Sequence, residues 1–183
     1  MALYAQRPKR GVVVCYDQLG PLELRPIAGW SWARHGHPER HRATYTRKQG
    51  VEQLHGFYDV HADCLVGCVR KRKTTQDILA CFRRLRKCYP MQLRIYVVLD
   101  NLSANICAAN EFFPGHNMEA VYLPTDASWL NAIESEFTAL HAATIKNSDD
   151  PSHTVRRRRI YRYLRWRNRK HASNHCYLAR FMR

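Results

Sequence analysis

The chain has 183 residues, 45% of them hydrophobic, which is enough for one folded domain with a substantial core and argues against a disordered protein. Thirty Lys and Arg residues against fifteen Asp and Glu residues give a formal net charge of +15, and eleven of the basic residues but no acidic ones lie in residues 151–183. This polycationic part favours a nucleic acid partner, whose phosphates release counterions on binding, over the plainer alternative of a solvated basic helix.

Cysteine content and hydropathy disfavour three further classes of protein. The seven cysteines are an odd number without a secretory leader before them, which fits a reducing cytoplasm better than a disulfide framework. No apolar run approaches the roughly 18 residues that span a bilayer, so we expect no membrane partner. A zinc site at His55, His61, Cys64 and Cys68 is disfavoured, because the two cysteines would lie about 13 Å apart on one strand.

In chain order, the first half of the sequence predicts three strands and a helix. Residues 11–16, GVVVCY, are apolar and rich in β-branched side chains, which fits a buried central strand that ends at Asp17. Residues 52–70 contain two alternating runs and fit an antiparallel hairpin. A helix follows from Thr74, which can cap its first turn, to Pro90, which stops it.

The second half alternates strands and helices. Strands are predicted at residues 94–101 and 119–124, a short helix at about 103–112, and longer helices at about 129–146 and 152–169. The apolar stripe expected to fix the first long helix on the sheet consists of Trp129, Leu130, Ile133 and Phe137. Glu134 lies beside this stripe, Glu136 is expected at the surface, and Trp166 is expected to pack against neighbouring helices.

This order of elements predicts an α/β protein with the ribonuclease-H-like fold. A strand–helix–strand crossover makes its two strands parallel, so the later strands extend the opening sheet in parallel. The expected architecture is a mixed five-stranded sheet, with three antiparallel strands and then two parallel ones, helices on both faces and a basic C-terminal helix. Residues 11–150 would form the catalytic domain, and residues 151–183 would be a basic helical segment of the same domain.

Three carboxylates are expected to converge at one edge of this sheet. The fold brings the strand ending at Asp100 next to the strand ending at Asp17, and the first long helix carries Glu134 toward them. These acids would repel one another unless a cation lay between them, and hard carboxylate ligands suit Mg²⁺ or Mn²⁺. Two such ions about 3.5–4 Å apart can promote phosphodiester chemistry.

Two alternatives to this metal site were weighed on the residues alone. Aspartates often end strands simply because they favour turns, so neither Asp17 nor Asp100 is informative by itself. An apolar strand ending in Asp also fits a nucleotide hydrolase, but the sequence contains no G-x-x-x-x-G-K-[ST] phosphate loop. The nucleotide hydrolase is therefore set aside.

Two segments resemble the catalytic core of DDE transposases of the mariner-related bacterial insertion-sequence type, VVLDNLSAN at 97–105 and LPTDASWLNAIESEF at 123–137. That family has a strand ending in Asp-Asn and a later Leu-Pro…Trp-Leu-Asn-Pro-Ile-Glu segment. The separation of 34 residues between Asp100 and Glu134 falls where the family places its last two acids. The resemblance implies catalytic and metal-binding roles for Asp17, Asp100 and Glu134, and site-shaping roles for Asn101 and Asn131.

The resemblance also implies an activity and its partners. The family cleaves DNA with metal-activated water to free a 3′-OH, which then attacks target DNA, and two Mg²⁺ or Mn²⁺ ions are the expected cofactors. DNA is the expected partner, in a homodimer or synaptic oligomer, in the bacterial cytoplasm in association with the nucleoid. Relatives carry an N-terminal helix-turn-helix region that is not found before this catalytic core, so we expect a separately encoded half to read the DNA ends.

The sequence departs from the family at three positions. Gln18 stands where the family commonly has Glu, Asn105 where it usually has His, and Ala132 where it usually has Pro. These departures leave two other functions open. One is an inactive or truncated transposase remnant that only binds nucleic acid, and the other is a different ribonuclease-H-like nuclease, such as a resolvase.

Two basic stretches are predicted to contact DNA phosphates. One follows the hairpin, where a charged turn is nearly as good an explanation, and the other is the C-terminal helix. The predicted contacts are Arg70, Lys71, Arg72, Lys73, Arg156, Arg157, Arg158, Arg159, Arg165, Arg167, Arg169 and Lys170.

Overall fold

The computed structural model describes residues 2–30, 32–38, 40–42, 49–125, 127–173 and 176–182. Its strands are β1 Gly11–Glu23, β2 Val51–Asp59, β3 Cys64–Arg70, β4 Arg94–Leu99 and β5 Met118–Tyr122. Its α-helices are α1 Ala2–Ala5, α2 Thr75–Cys88, α3 Ser103–Phe112, α4 Ile133–Thr144 and α5 His153–His171, and 3-10 helices span Ser128–Leu130 and Tyr177–Met182.

The five strands form one sheet with an antiparallel half and a parallel half, in the spatial order β3-β2-β1-β4-β5. β1 pairs antiparallel with β2, which pairs antiparallel with β3. On the other side, β1 pairs in parallel with β4, which pairs in parallel with β5. The predicted ribonuclease-H-like arrangement is confirmed, including the position of β4 beside the first strand.

Alternation along β1 divides the core into two layers. Val14 and Tyr16 pack with residues of α2 and α3 on one face of the sheet. Val13 and Cys15 pack with residues of α4 and α5 on the opposite face. Helices therefore cover both faces, as predicted, and Asp17 points to the α4 face because side chains two residues apart share a face of a strand.

β1 is longer than the sequence predicts. The ladder with β2 continues from Asp17, opposite Gly56, to Glu23, opposite Val51, with one irregularity before Leu22. The prediction that Asp17 ends the strand is wrong, because backbone pairing with β2 outweighs the preference of an aspartate for a turn. Asp17 therefore lies within a paired strand, where its backbone is held on both sides.

The start of α4 also differs from the prediction. Trp129 and Leu130 lie in the 3-10 helix before α4, with 73% and 37% of their surface exposed. The expected apolar stripe is wrong for these two residues, because the backbone becomes extended at Asn131, whose side chain donates a hydrogen bond to the Tyr16 carbonyl. α4 is fixed on the sheet by its buried apolar side chains Ile133, Phe137 and Leu140.

The basic helix α5 is built into the core. Ile160 and Leu164 are buried in the layer that α4 also covers, while Leu178 and Phe181 of the last 3-10 helix are buried in the other layer. Trp166, however, is 44% exposed, so its expected packing is wrong; it lies at the surface with the Lys170 ammonium 5.0 Å from its ring. Within the described residues, no helix is both long and apolar enough to cross a membrane.

Gly56 allows α4 to approach the sheet, and we predict that its replacement by Ala is destabilising. A Cβ atom at this position would lie 2.6 Å from two ring atoms of Phe137 and 3.0 Å from Ile133 Cδ1. Overpacking of this kind should lower the free energy of unfolding by about 1–3 kcal/mol, as measured by urea denaturation.

The double variant Gly56→Ala/Phe137→Leu serves as the matched control for this prediction. Leu lacks the ring atoms that would collide, so the second substitution should cost less in the Gly56→Ala background than it costs alone. Strictly additive effects of the two substitutions would contradict the proposed collision.

Candidate active site

Two of the predicted acids lie side by side on the central strands. The β1–β4 register pairs Cys15 with Val98, and continuing it by two residues places Asp100, directly after β4, beside Asp17. Neighbouring strands are about 4.8 Å apart, so the two carboxylates share one edge of the sheet. Both side chains are half-buried.

The third acid, Glu134, is the second residue of α4 and is also half-buried. Two hydrogen bonds hold the chain before it against the sheet: Asn131 Nδ2 donates to the Tyr16 carbonyl at 3.1 Å, and the Tyr4 hydroxyl donates to the Leu130 carbonyl at 3.0 Å. Because Gly56 lets the next turn of α4 lie close to β2, the first turn of the helix faces Asp17.

The electrostatics of Asp17 place all three acids in one neighbourhood. Burial raises the pKa of Asp17 from 3.8 to about 6, and the negative charges of Asp100 and Glu134 raise it further, against the Gln18 backbone N–H and the Lys73 ammonium, which lower it. The repulsion among the carboxylates has no compensating cation within the protein strong enough to cancel it. A bound divalent cation would relieve this repulsion.

A cavity of about 390 Å³ opens between β1 and α4. Its lining consists of Asp17, Gln18, Leu19, Glu134, Phe137, Thr138, His141 and Lys146. A larger cavity of about 510 Å³ lies between α5 and the last 3-10 helix and contains none of the three acids. Size therefore does not single out the site, and the converging carboxylates do.

The carboxylate oxygens are arranged so that each aspartate keeps one oxygen free. Asp17 Oδ1 accepts a hydrogen bond of 2.7 Å from the Gln18 backbone N–H. Asp100 Oδ1 accepts from the Leu102 backbone N–H at 3.3 Å and from Asn105 Nδ2. Within the described residues, the Oδ2 atoms of both aspartates accept no hydrogen bond, so they are available to a hard cation.

The donor set fits a divalent cation that water and substrate help to coordinate. In the described ranges, no three His, Cys, Asp or Glu side chains lie close enough together to form a ready-made metal cage. Asp17, Asp100 and Glu134 instead border a shared space, and Mg²⁺ and Mn²⁺ commonly retain waters and bind through a few carboxylates.

The two predicted site-shaping asparagines each hold backbone next to an acid. Asn101 is exposed, but its Nδ2 donates to the Leu123 carbonyl at 2.8 Å and so ties the end of β4 to the chain after β5. Asn131 is 2% exposed and bonds to β1, as described above, while its Oδ1 atom has no partner among the described residues. Both contacts fix where the strand ends lie.

Residues 12–154 match the family model described as DDE superfamily endonuclease, and this match spans more than half of the chain. The chain belongs to this family. The family membership predicted from the Asp-Asn and Trp-Leu-Asn segments is thus confirmed. No curated protein matches the sequence of this DDE-family chain.

Solved structures support the same fold for the DDE-family chain. A Mos1 transposase paired-end complex with a left transposon end has a TM-score of 0.64 and 13% identity over 90% of this chain and 51% of that chain. A Mos1 mariner paired-end complex with Mn has a TM-score of 0.63 and 13% identity over 92% of this chain and 51% of that one. The chain thus spans about half the length of these structural relatives.

The catalytic chain of a retroviral assembly is also similar in fold. A simian T-cell lymphotropic virus intasome, in complex with a PP2A regulatory subunit, has a TM-score of 0.50 and 9% identity over 81% of this chain and 46% of that chain. At these identities the likeness concerns the fold alone.

The basic residues of the DDE-family chain divide into buried and exposed groups. Arg156 is 1% exposed and pairs with Asp150 at 2.9 Å, and Arg167, 6% exposed, pairs with Asp63 and Glu136. The prediction of DNA contacts is wrong for Arg156 and Arg167, because their charges are neutralised inside the protein. Glu136, expected at the surface, is half-buried in the second of these networks.

Two more predicted contacts are partly neutralised. Arg157 pairs with Glu52 at 2.7 Å, and Arg159 pairs with the buried carboxylate of Asp150 at 2.7 Å. Of the segment after the hairpin, Lys71, Arg72 and Lys73 are exposed and Arg70 is half-buried. The residues 70–73 are called the basic segment below.

Sequence reasoning missed Arg162, which completes a row of exposed guanidinium groups on α5. Arg158, Arg162, Arg165 and Arg169, called the arginine stripe below, are spaced by four, three and four residues and share one helix face. In the described part of the chain, none of the four forms an ion pair. The helical spacing is the signal that could have identified Arg162.

Two other residues near the acids were not selected from the sequence as parts of the site. Asn105 is fully buried and bonds to Asp100, and Gln18 follows Asp17 and lines the cavity. Both were noted only as departures from a family pattern. Their role follows from contacts between distant parts of the chain, for which the sequence contains no periodic signal.

We predict that Asp17→Asn stabilises the metal-free protein at neutral pH. The pKa of Asp17 is higher in the folded state, so the folded state binds the proton more tightly and the free energy of unfolding falls as the pH rises from about 4 to about 6. The variant should therefore be more stable by about 1–3 kcal/mol at pH 7, with the gain shrinking toward pH 4. Urea denaturation in EDTA measures both values.

Glu111→Gln, which removes an exposed carboxylate from α3, controls for the loss of one negative charge. A stabilisation by Asp17→Asn that is equal at low and neutral pH, or that the control reproduces, would contradict the elevated pKa of Asp17.

Proposed function

We propose that this chain is the catalytic domain of a transposase, which cleaves DNA and joins a freed 3′-OH to target DNA with the help of divalent metal ions. The observation that carries the proposal is the convergence of Asp17, Asp100 and Glu134 at one sheet edge of a DDE-family fold, with a raised Asp17 pKa as its electrostatic signature. The whole protein's activity is part of the proposal.

The proposed cofactor is Mg²⁺ or Mn²⁺, as two ions. Asp17 and Asp100 would hold the ions through their free Oδ2 atoms, and Glu134 would complete the carboxylate set from α4. Bound there, such ions activate a water or hydroxyl nucleophile and stabilise the leaving oxygen of a phosphodiester. The protein's own contribution is to fix the three carboxylates before substrate arrives and to hold the cavity open beside Asp17 and Glu134.

The proposed partner is DNA, bound along two positive surfaces. The basic segment borders the acids, since the Lys73 ammonium acts on the Asp17 carboxylate. The arginine stripe lies on α5, and two of its members, Arg162 and Arg169, line both the 510 Å³ cavity and another of about 340 Å³. Unpaired exposed guanidinium groups at these spacings suit successive backbone phosphates.

The assembly and its setting complete the proposal. Mos1 forms a paired-end complex on transposon ends, and we propose a comparable synaptic oligomer for this chain. The described residues form one catalytic fold, so we assign recognition of DNA ends to a helix-turn-helix half that is separately encoded. We further propose a cytoplasmic, nucleoid-associated protein, a setting compatible with seven cysteines that are all free.

The second candidate is a remnant that binds DNA without cleaving it. Gln18 and Asn105, two departures from the family pattern, lie in contact beside Asp100 and so bear directly on the site. A different ribonuclease-H-like nuclease would share the acids but does not account for the Trp-Leu-Asn segment before Glu134.

We predict that the purified chain nicks supercoiled DNA with Mg²⁺ or Mn²⁺ and that Asp100→Asn abolishes nicking, because the variant loses a charged metal ligand. Agarose gel electrophoresis of plasmid DNA measures the product. Glu119→Gln, which neutralises an exposed carboxylate on β5, is the matched control and should leave nicking unchanged.

The outcomes of this experiment separate the candidates. Metal-dependent nicking that persists in Asp100→Asn would refute the assignment of the acids. Absence of nicking in the wild-type protein, together with retained DNA binding, would favour the remnant.

We also predict that the arginine stripe sets the salt dependence of DNA binding. Deleting α5 would remove buried Ile160 and Leu164 from the core, so substitutions are the sharper test. Each lost phosphate contact should lower the slope of log K against log salt by about 0.9, so Arg162→Gln/Arg165→Gln should lower it by up to about 2. Fluorescence anisotropy with a labelled duplex measures the slope.

Arg83→Gln/Lys87→Gln is the control of equal charge on the exposed side of α2, across the sheet from α5. It should change the slope by less than the stripe variant. Equal slopes for the two variants would show that DNA senses only the net charge of the protein.

A further inference from the structure

A continuous row of hydrogen bonds leads from Asp100 into the protein. Asn105 Nδ2 donates to Asp100 Oδ1, and Asn105 Oδ1 accepts from Gln18 Nε2 at 2.9 Å. Gln18 Nε2 also donates to the Tyr16 hydroxyl at 2.8 Å. The row starts at a candidate metal ligand and uses both departures from the family pattern that lie near it.

The row continues across β1 and β2 to the basic segment. The Tyr16 hydroxyl lies 2.8 Å from His55 Nδ1, and His55 Nε2 lies 3.1 Å from the Arg72 carbonyl oxygen. Tyr16, His55 and Asn105 are each 0% exposed, so water does not compete for these bonds. We call Gln18, Asn105, Tyr16 and His55 the polar relay.

The chemistry of its two ends fixes the direction of every bond in the polar relay. The Arg72 carbonyl can only accept, so His55 Nε2 donates; burial lowers the pKa of His55, which keeps the ring neutral and leaves Nδ1 as an acceptor. The Tyr16 hydroxyl must then donate to His55 and accept from Gln18.

At the other end, the Asp100 carboxylate can only accept, so the NH₂ group of Asn105 faces it and the Asn105 carbonyl oxygen faces Gln18. Both halves of the row therefore require a donor at their meeting point. The Gln18 NH₂ group supplies two N–H donors, one to each half. A carboxylate at position 18 could not do this without reversing the bonds on both sides.

We propose that Gln18 and Asn105 are positioning residues that set which oxygen of Asp100 faces the metal site, and that Tyr16 and His55 anchor them to the basic segment. This inference rests on the proposed metal-dependent function. Asn105 holds Oδ1, which leaves Oδ2 directed to the cation. Groups that orient a metal ligand in this way change metal affinity without touching the metal.

Mn²⁺ binding to the full chain tests the proposal without requiring catalysis. Electron paramagnetic resonance of free Mn²⁺ gives the dissociation constant, and circular dichroism checks that each variant is folded. Asn105→Leu should weaken Mn²⁺ binding by about tenfold or more, because Asp100 loses its orienting donor. Asn105→His should retain binding, because a neutral imidazole can donate to Asp100 with one nitrogen and accept from Gln18 with the other.

Asn168→Leu is the matched control for Asn105→Leu. Asn168 bonds to the Leu65 backbone from α5, at 2.7 Å and 2.9 Å, so its loss costs stability at a site without candidate metal ligands. Mn²⁺ affinity should be unchanged in this variant. Equal affinities in wild-type protein, Asn105→Leu and Asn168→Leu would overturn the positioning role and leave the proposed function intact.

Tyr16→Phe tests the inner half of the polar relay, with Tyr89→Phe as its control. Tyr89 is another buried tyrosine, whose hydroxyl donates to Asp59 at 2.9 Å. Tyr16→Phe should weaken Mn²⁺ binding, by less than Asn105→Leu does, and Tyr89→Phe should not weaken it. Equal affinities in the two tyrosine variants would overturn the anchoring role, and wild-type protein that binds no Mn²⁺ would overturn the proposed function together with the inference.

Discussion

The parallel pairing of β1 with β4 is the constraint on which the candidate site depends. It fixes the spacing of two backbones through hydrogen bonds, and the register that aligns Cys15 with Val98 carries Asp17 and Asp100 to the same edge. Two carboxylates so placed repel each other, and the raised pKa of Asp17 records that cost. The buried strands that hold them in place supply the stability against which this repulsion is tolerated. A site of this kind is preorganised for a cation, since the protein has already overcome the repulsion that the cation then removes.

The position of α4 is the second requirement. Glu134 can join the aspartates only if the helix lies close to β2, and the absence of a side chain at Gly56 permits that approach. The same turn of α4 contributes Ile133 and Phe137 to the core, so packing and site geometry are one arrangement. Asn131, bonded to the β1 carbonyl of Tyr16, sets where the helix begins. This coupling explains why an acid lies directly beside apolar residues in the sequence.

Positive charge serves two purposes in this protein, and the sequence of α5 does not distinguish them. Arg156 and Arg167 are buried and satisfy carboxylates from other elements, which makes them structural. The arginine stripe is exposed and unpaired within the described residues, which suits a polyanion. Adjacent arginines in one run thus differ in role because the helix turns about 100° per residue and presents them to different surroundings. The same helix therefore closes the core on one side and offers a phosphate-binding surface on the other.

The sequence by itself determined the strand order, the mixed sheet, the family and the three acids, because apolar periodicity and a short motif with fixed spacing are local properties of the chain. It did not determine the end of β1, since pairing with β2 continues past Asp17 where the local preference is for a turn. Nor did it determine that Trp129 is exposed, since a hydrogen bond from Asn131 to a distant strand ends the preceding turn. Only the tertiary structure decided that Gln18 and Asn105 contact each other beside Asp100, because that contact joins strands and helices far apart in the chain and depends on bond direction as well as position.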